Sequence, residues 1–443
     1  VSYKKILRVN TSIEVSVGID DTDSPKGMCT TYVMYRFINR AMAEGFEIIG
    51  MPRLVRLNPA CPFKTRGNAA LGVDIRVDKN KISVLKNMLL DTIFELSEIK
   101  EKNTNPAFVI FERKNINNKL IDFSRNAVKR VVELNEALFL IKSYATFSFG
   151  FNGPRGLVGA LAAAAYDFPS GYTYELIAYR VKEMRGKKRL IDPGSVFEAD
   201  AATRGCTFDN VDAENGEIKI TPHTPCPVLL GIRGLDVSCI KKAFDLLKIE
   251  EPVEGYMIYK TNQATDDHII NLERIKDIEP LTSVSIKGKV ASLPRQIKGG
   301  HVFVEITDGF DMIRVAAYEP TRSFRKVLMS LRPGDSVQVW GSYKPRENEP
   351  ETINLEKLKI INLAQYGKLM NPVCPVCGTR MKSEGKGKGY QCPKCKYKLK
   401  NAEKVFEPEK RNIQPGFYDV PPKARRHLSK PSFLIVLKDE GKS

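Results

Sequence analysis

Four cysteines near the C-terminus constrain this chain more than any other feature. Cys374-x-x-Cys377 and Cys392-x-x-Cys395 are separated by fourteen residues. Two such knuckles present four thiolates, a soft donor set that suits tetrahedral zinc (Zn2+). A segment this short buries little apolar surface, so the metal would hold it together. Two redox-active C-x-x-C pairs are the rival reading. All four positions are filled by protein, which favours a structural zinc ribbon over a catalytic metal. Lysines from Lys382 to Lys400 make the module basic, and Tyr390 and Tyr397 offer faces for base stacking.

Charge extends this reading. From Tyr366 to Ser443 there are 18 Lys/Arg against 7 Asp/Glu, more than half of the net charge of +18. Such a concentration suits a polyanion, because each cation that meets phosphate releases a counterion. Nucleic acid is favoured over an anionic membrane surface, since no basic amphipathic helix stands out. No apolar run has the length of a membrane span, and the first residues lack the apolar stretch of a signal peptide. A cytoplasmic location without a membrane partner is expected. Cys29, Cys61, Cys206, Cys226 and Cys239 are scattered, as free core cysteines are.

Ahead of the ribbon, residues 284–363 carry five short strand patterns, interrupted by a helical stretch at Arg322–Leu331. Five strands and one helix make an OB-fold β-barrel, which commonly binds single-stranded nucleic acid. Residues 172–262 alternate strands and helices, as in a small α+β sandwich of the ferredoxin-like kind. The N-terminal part reads as α/β. Ile13, Val15, Val17 and Ile19 alternate as in a half-buried strand. A polar loop follows, and then Val33, Met34, Phe37, Ile38 and Ala41 recur at helical spacing. A second strand–turn–helix unit spans 145–166. A strand at Leu71–Val77 and helices at Lys81–Leu96 and Ser124–Lys142 lie between the two units. The whole is an α+β multidomain chain.

The loop after the first strand carries the strongest chemical signal. Asp20, Asp21 and Asp23 stand within four residues, and carboxylates so close repel unless a cation neutralises them. Magnesium (Mg2+) carrying nucleotide phosphates is the natural candidate. Gly27 lets the chain turn, and the following helix aims N–H groups at an anion. Thr30 and Thr31 either cap that helix or present a hydroxyl to a phosphoryl group. Lys64, Arg66 and Asn68 (in KTRGN), with Arg155 and Gly156 (in NGPRG), supply cations and turns suited to phosphate. An acidic stretch containing Asp200, Asn210 and Asp212 is either a solvated loop or a site for a cationic small molecule. Asp266, Asp267 and His268 read as linker polarity, and His223 has no evident partner.

The runs GIDDTDSPKGMCTTY (Gly18–Tyr32), RLNPACPFKTRGNAA (Arg56–Ala70), GPRGLVGALAA (Gly153–Ala163) and TPCPVLLGIRG (Thr224–Gly234) occur together and in order. This combination resembles the archaeal tRNA 2-agmatinylcytidine synthetases over nearly the whole chain. The resemblance implies a kinase-like catalytic domain at residues 1–148 and a ferredoxin-like agmatine-binding domain at 149–275. An OB-fold at 283–364, a zinc ribbon at 368–402 and a basic C-terminal tail at 403–443 complete the expected organisation.

The activity it implies is an ATP-dependent ligation. The 2-carbonyl oxygen of the wobble cytidine of CAU-anticodon isoleucine tRNA is phosphorylated, then displaced at carbon 2 by the amine of agmatine. The modified tRNA reads AUA, and ATP is split to AMP and pyrophosphate. Thr30 matches the threonine that becomes phosphorylated. Asp200, Asn210 and Asp212 match positions assigned here to agmatine. One departure is the arm of about a dozen residues before the first strand. The alternative from another class is a non-catalytic protein that binds tRNA or single-stranded nucleic acid, which leaves Asp20–Asp23 without a task. A lysine-conjugating enzyme is a second rival, but its ATP-binding loop is absent.

Overall fold

The computed structural model describes residues 12–64 and 67–440. Arg66 and nearly all of the N-terminal arm lie outside the described residues.

The N-terminal half is built on one nine-stranded sheet. Strand β1 (Ser12–Asp20) runs centrally, and helix α1 (Thr30–Ala43) returns over it. Then come β2 (Glu47–Arg56), β3 (Ala69–Asp78), α2 (Ile82–Leu96) and β4 (Ala107–Glu112). Helices α3 (Asn118–Lys129) and α4 (Leu134–Tyr144) precede β5 (Phe147–Gly150) and α5 (Gly156–Ala165). Val15, Val17 and Ile19 point from β1 into a core with α1 and α2. The opposite face carries α3, α4 and α5, against Val109 and Phe111 of β4. Both faces are covered, so β1 is buried from Val15 to Ile19 and not half-buried as its alternation suggested, and two strands, β2 and β4, escaped the reading. The expected single helix at Ser124–Lys142 is two helices, broken at residues 130–133. Asn117 caps α3 by accepting from the Lys119 and Leu120 N–H groups.

The second half of the sheet comes from β6 (Thr173–Arg180), β7 (Thr207–Phe208), β10 (Val228–Gly234) and β11 (Val253–Thr261). A small hairpin of β8 (Val211–Asp212) and β9 (Glu217–Ile218) stands apart. Helices α6 (Pro193–Ala202) and α7 (Val237–Asp245) pack on one face, around Leu176, Leu230 and Ile240. Asp192 caps α6 and Pro193 occupies its first turn. Asp200 therefore sits on a helix, where a solvated loop was one expectation. Cys206 and Cys239 are joined in a disulfide, correcting the expectation that both are free.

The order β5-β4-β1-β3-β2-β11-β6-β10-β7 joins the two halves without a break. The seam is a parallel pairing of Lys260 and Thr261 with Arg53 and Leu54. Asn262, fully buried, extends it by accepting from the Arg56 N–H at 2.8 Å and donating to the Arg56 carbonyl at 3.0 Å. Helix α1 spans the seam: Tyr32 packs edge-on against Tyr179 at 5.4 Å, and the Tyr259 hydroxyl donates to the Thr31 carbonyl at 2.9 Å.

The barrel follows, with β12 (Ile269–Leu272), β13 (Thr282–Val290), β14 (Arg295–Gln296), β15 (Val302–Thr307) and β16 (Met312–Ala317). Helix α8 (Ser323–Met329), β17 (Ser336–Tyr343) and β18 (Thr352–Asn362) complete it. Pairing of β13 with β15 closes the barrel, as an OB-fold requires. Beyond it, the sulfurs of Cys374, Cys377, Cys392 and Cys395 converge. Among the described residues, Met381 is the one non-cysteine in the buried core of this module, and Tyr390 and Leu399 pack at its edge.

Residues 403–443 were expected as a tail. Instead the chain returns: 416–419 adds a strand to β18, and helix α9 (Ser432–Glu440) ends the described chain. Between them, Lys423 to Lys430 thread among the nine-stranded sheet, the region around β8 and β9, and the barrel. The Arg425 guanidinium pairs with Asp209, and Arg426 pairs with Glu356 at 3.0 Å. Leu428 fills a core with Val55 and Ala162. Asp266, Asp267 and His268 are not linker polarity either. His268 meets Glu356 at 2.9 Å, Lys357 meets Asp266 at 2.7 Å, and Tyr166 donates to Asp267. This buried network cements the barrel to the sheet.

Candidate active site

The acidic loop starts where β1 ends. Asp21 takes a left-handed backbone conformation (φ 55°), and Ser24 and Gly27 exchange backbone hydrogen bonds across a tight turn. Cys29 occupies the N-cap position in extended conformation, without a side-chain cap. Thr30 is thus the first helical residue and not the cap. Its hydroxyl accepts from Thr22 at 3.2 Å.

Small residues of α5 let the loop close against the helix. A Cβ on Gly18 would stand 1.9 Å from the Ala160 carbonyl oxygen, and one on Gly159 would stand 1.8 Å from Asp20 Oδ2. Asp20 is therefore wedged against α5. Burial, reinforced by the charge of Asp21, raises its carboxyl well above the usual range. Asp21 is pushed up to about 6, again chiefly by burial. The Asn105 side chain and backbone N–H oppose this by donating to Asp21 Oδ2 at 3.2 and 3.0 Å. Carboxylates this reluctant to ionise are neutralised best by a cation.

A cavity of about 770 Å³ opens over the loop. Asp20, Asp21, Asp23, Thr30 and Thr31 line one side, and Lys64, Asn68, Arg155 and Gly156 line it too. The Arg155 guanidinium lies over the Phe63 ring at 4.7 Å. A Cβ on Gly156 would strike the Asn105 carbonyl oxygen at 2.2 Å, so this turn also needs glycine. Gly27 backs the loop, 3.4 Å from the Pro225 carbonyl by the same measure. The expected phosphate-handling residues thus line one cavity, except Gly27, which is not among its lining residues, and Arg66, which lies outside the described residues.

Four cavity residues were not singled out from sequence. Arg56 and Arg233 flank Glu175, at 3.8 and 3.3 Å. Glu175 is 4% exposed and also accepts from Gln263. His427, from the returning C-terminal segment, lines the same space. Arg56 and Arg233 stood inside conspicuous motifs, so their basic character was available. Glu175 looks like an ordinary strand residue, and His427 lies 406 residues beyond Asp21.

The acidic trio behaves differently. Asn210 donates to Asp200 at 3.2 Å and to Thr207 at 2.8 Å, so these residues form one cluster. Asp212 is fully buried, and its two oxygens accept from the Asn215 and Lys423 N–H groups. None of the three lines the cavity over the acidic loop.

The four ribbon sulfurs lie within 4.8 Å of one another, with approaches of 3.4 Å between Cys374 and Cys395 and between Cys377 and Cys392. A tetrahedral zinc with bonds near 2.3 Å needs sulfur separations of about 3.8 Å, so the donor set fits that ion. Among the described residues no helix is long and apolar enough to cross a membrane.

An acidic, threonine-bearing loop facing a basic wall, joined to an OB-fold and a zinc ribbon, defines a nucleotide-using protein with nucleic-acid-binding appendages. Family models give this class its particulars. The TiaS TCKD domain matches residues 16–153, the TiaS FLD domain 154–268, an OB-fold nucleic acid binding domain 284–361, and the TiaS C-terminal zinc ribbon domain 371–413. The chain belongs to the TiaS family, the 2-agmatinylcytidine synthetases of isoleucine-2 tRNA. It is 44% identical to the Archaeoglobus fulgidus member, covering 97% of this chain and 99% of that protein. Identity to the Methanocaldococcus jannaschii member is 42%, over 95% and 99%. A crystal structure of TiaS in complex with isoleucine-2 tRNA and ATP superposes with a TM-score of 0.85 at 43% identity, covering 95% of this chain and 97% of that one. A TiaS complex with isoleucine-2 tRNA, AMPCPP and agmatine gives 0.83 at 41%, over 95% and 96%.

Proposed function

We propose that this chain is an ATP-dependent ligase that joins agmatine to carbon 2 of the wobble cytidine of CAU-anticodon isoleucine tRNA. The observation that carries the reading is the cavity in which the loop aspartates and Thr30 face Arg155, Lys64, Arg56 and Arg233. Relatives crystallised with isoleucine-2 tRNA, ATP or its analogue, and agmatine supply the matching substrates.

Asp20, Asp21 and Asp23 would hold Mg2+, which when bound supplies charge neutralisation for the triphosphate. Lys64, Arg66 and Arg155 grip phosphate oxygens, Asn68, Gly156 and Gly27 shape the turns around them, and Thr31 adds a hydroxyl at the start of α1. Thr30 Oγ takes a phosphoryl group from ATP as a phosphoanhydride bond breaks, its hydroxyl proton leaving to solvent or to the loop carboxylates. Arginines suit this work because a guanidinium meets two oxygens at once and stays charged. Phosphorylation turns the 2-oxygen of cytosine from a poor leaving group into a good one. The agmatine amine, having lost its proton, then attacks carbon 2 and phosphate departs. Agmatine is a dication, and Asp200 with Asn210 and Asp212 is the acidic cluster assigned to it. Asp200 is the strongest of the three, because both Asp212 oxygens already have donors. The target base leaves the anticodon stack to enter. The ribbon, holding Zn2+ through its four cysteines, and the barrel grip the tRNA through phosphate and stacking. The cytoplasm, where tRNA is used, is the expected place of action.

Incubation with ATP, agmatine and transcript tRNA should add the mass of agmatine, less water, to the wobble cytidine. No gain, where a known relative is active under the same conditions, would leave a binding protein instead. Lysine in place of agmatine should give no product.

A further inference from the structure

Among the described residues that line the cavity, His427 is the one imidazole, and its placement is built. The segment carrying it is pinned on both sides. The His427 carbonyl accepts from the Ala264 N–H at 2.8 Å, and the Leu428 carbonyl accepts from the Asp266 N–H at 2.9 Å. Arg425 is anchored on Asp209, and Arg426 on Glu356 and the Ser342 hydroxyl. The ring lies beside Gly67, with Nε2 3.8 Å from where a Cβ on that residue would stand. Nδ1 is buried and has no hydrogen-bond partner among the described residues. Burial, then the charges of Arg56, Arg233 and Lys64, hold the ring far below the usual histidine range, so it is neutral at physiological pH.

A phosphate in this corner is already answered by three cations. A ring that stays uncharged adds little to their field, yet it can exchange a hydrogen bond with an uncharged polar edge. The partly exposed ring lines the cavity, so a base seated there would meet a neutral imidazole and not a fourth cation. We propose that His427 contacts the flipped target base, orienting it while the neighbouring arginines hold its phosphoryl group. This rests on the ligase reading above. The C-terminal segment thereby carries a specificity-determining residue into the catalytic cavity, and seats it only when barrel and sheet are docked.

The test compares full-length wild type, His427→Leu and His427→Gln in steady-state agmatine transfer to transcript tRNA, with tRNA affinity and thermal melting measured alongside. His427→Leu should lower kcat about tenfold or more, the worth of one lost buried hydrogen bond. KM for tRNA, tRNA affinity and Tm should hold, because phosphate contacts dominate tRNA binding. His427→Gln, which keeps a neutral donor and acceptor, should recover part of the rate. Wild-type rates in His427→Leu would overturn the proposal. So would a parallel fall of Tm, affinity and rate that glutamine fails to mend, since that marks a packing role. Product from wild type tests the ligase reading separately, and its absence would overturn both.

Discussion

Asp21 titrates where the surrounding charges make it informative. Its folded pKa of about 6 lies above the 3.8 of an unperturbed aspartate. Between those values the folded Asp21 holds its proton more tightly than the unfolded one, so its own contribution to stability is greatest below about pH 4 and is lost as pH rises through about 6. Asp20 is raised too and contributes with the same sign. In metal-free protein, wild type should therefore lose more Tm than Asp21→Asn as pH rises through this window, whatever the other carboxyls add to both. Added Mg2+ should raise the wild-type Tm at pH 7 more than that of Asp21→Asn. Equal shifts would move the metal away from this loop. Gly159 makes a second residue-scale case. Gly159→Ala puts a methyl where Asp20 Oδ2 stands, so agmatine transfer should collapse while tRNA affinity holds. The acidic loop was legible because three aspartates between a strand and a helix are rare without a purpose. Glu175 and His427 were not, since neither has a local pattern; only the fold brings them to the loop.

Among the elements, α5 shows how closely a helix can be pressed onto a strand. Gly18→Ala would drive a Cβ into the Ala160 carbonyl and should cost about 1–3 kcal/mol, the usual penalty of overpacking. Urea denaturation of the variant measures it. The small residues Gly159, Ala160 and Ala162 to Ala165, with Leu161 among them, announced close packing in the sequence. Helix α6 also had a signal in Asp192-Pro193, a capping residue followed by a first-turn proline. It was overshadowed by the carboxylates around it, which read as loop. Strands β2 and β4 were missed for different reasons. Four residues of β2, from Arg53 to Arg56, are buried or nearly so, two of them arginines, which breaks any simple alternation; β4 is buried on both faces and does not alternate at all. The barrel strands were legible because apolar residues recur at alternate positions, as Val302, Val304 and Ile306 do in β15 and Val337 and Val339 in β17.

At the level of the whole molecule, two attachments can be tested. Arg425 and Asp209 are each about 10% exposed at their side chains. Arg425→Ala strands a buried carboxylate and should destabilise by about 3–5 kcal/mol, seen as easier proteolysis after residue 419 and a lower Tm. Cys392→Ser removes one sulfur of the ribbon, whose buried core is otherwise Cys374 and Met381. Zinc content should fall, residues 371–413 should become protease-sensitive, and tRNA affinity should drop with a shallower salt dependence, while ATP binding persists. Domain order was readable from composition, but the seam between β2 and β11 was not, because parallel pairing of two residues on each strand leaves no mark in either.

That seam bears on how the chain can be divided for laboratory use. A fragment ending near residue 153 would keep β2 but lose β11, presenting the amide and carbonyl row of β2 to any other copy. Buried Asn262 would go with it, leaving the Arg56 backbone groups unanswered. A piece that runs through residue 268 keeps the β2 flank paired, so it should aggregate less than one cut near residue 153, although it still lacks Leu428 and Arg425 from the returning C-terminal segment.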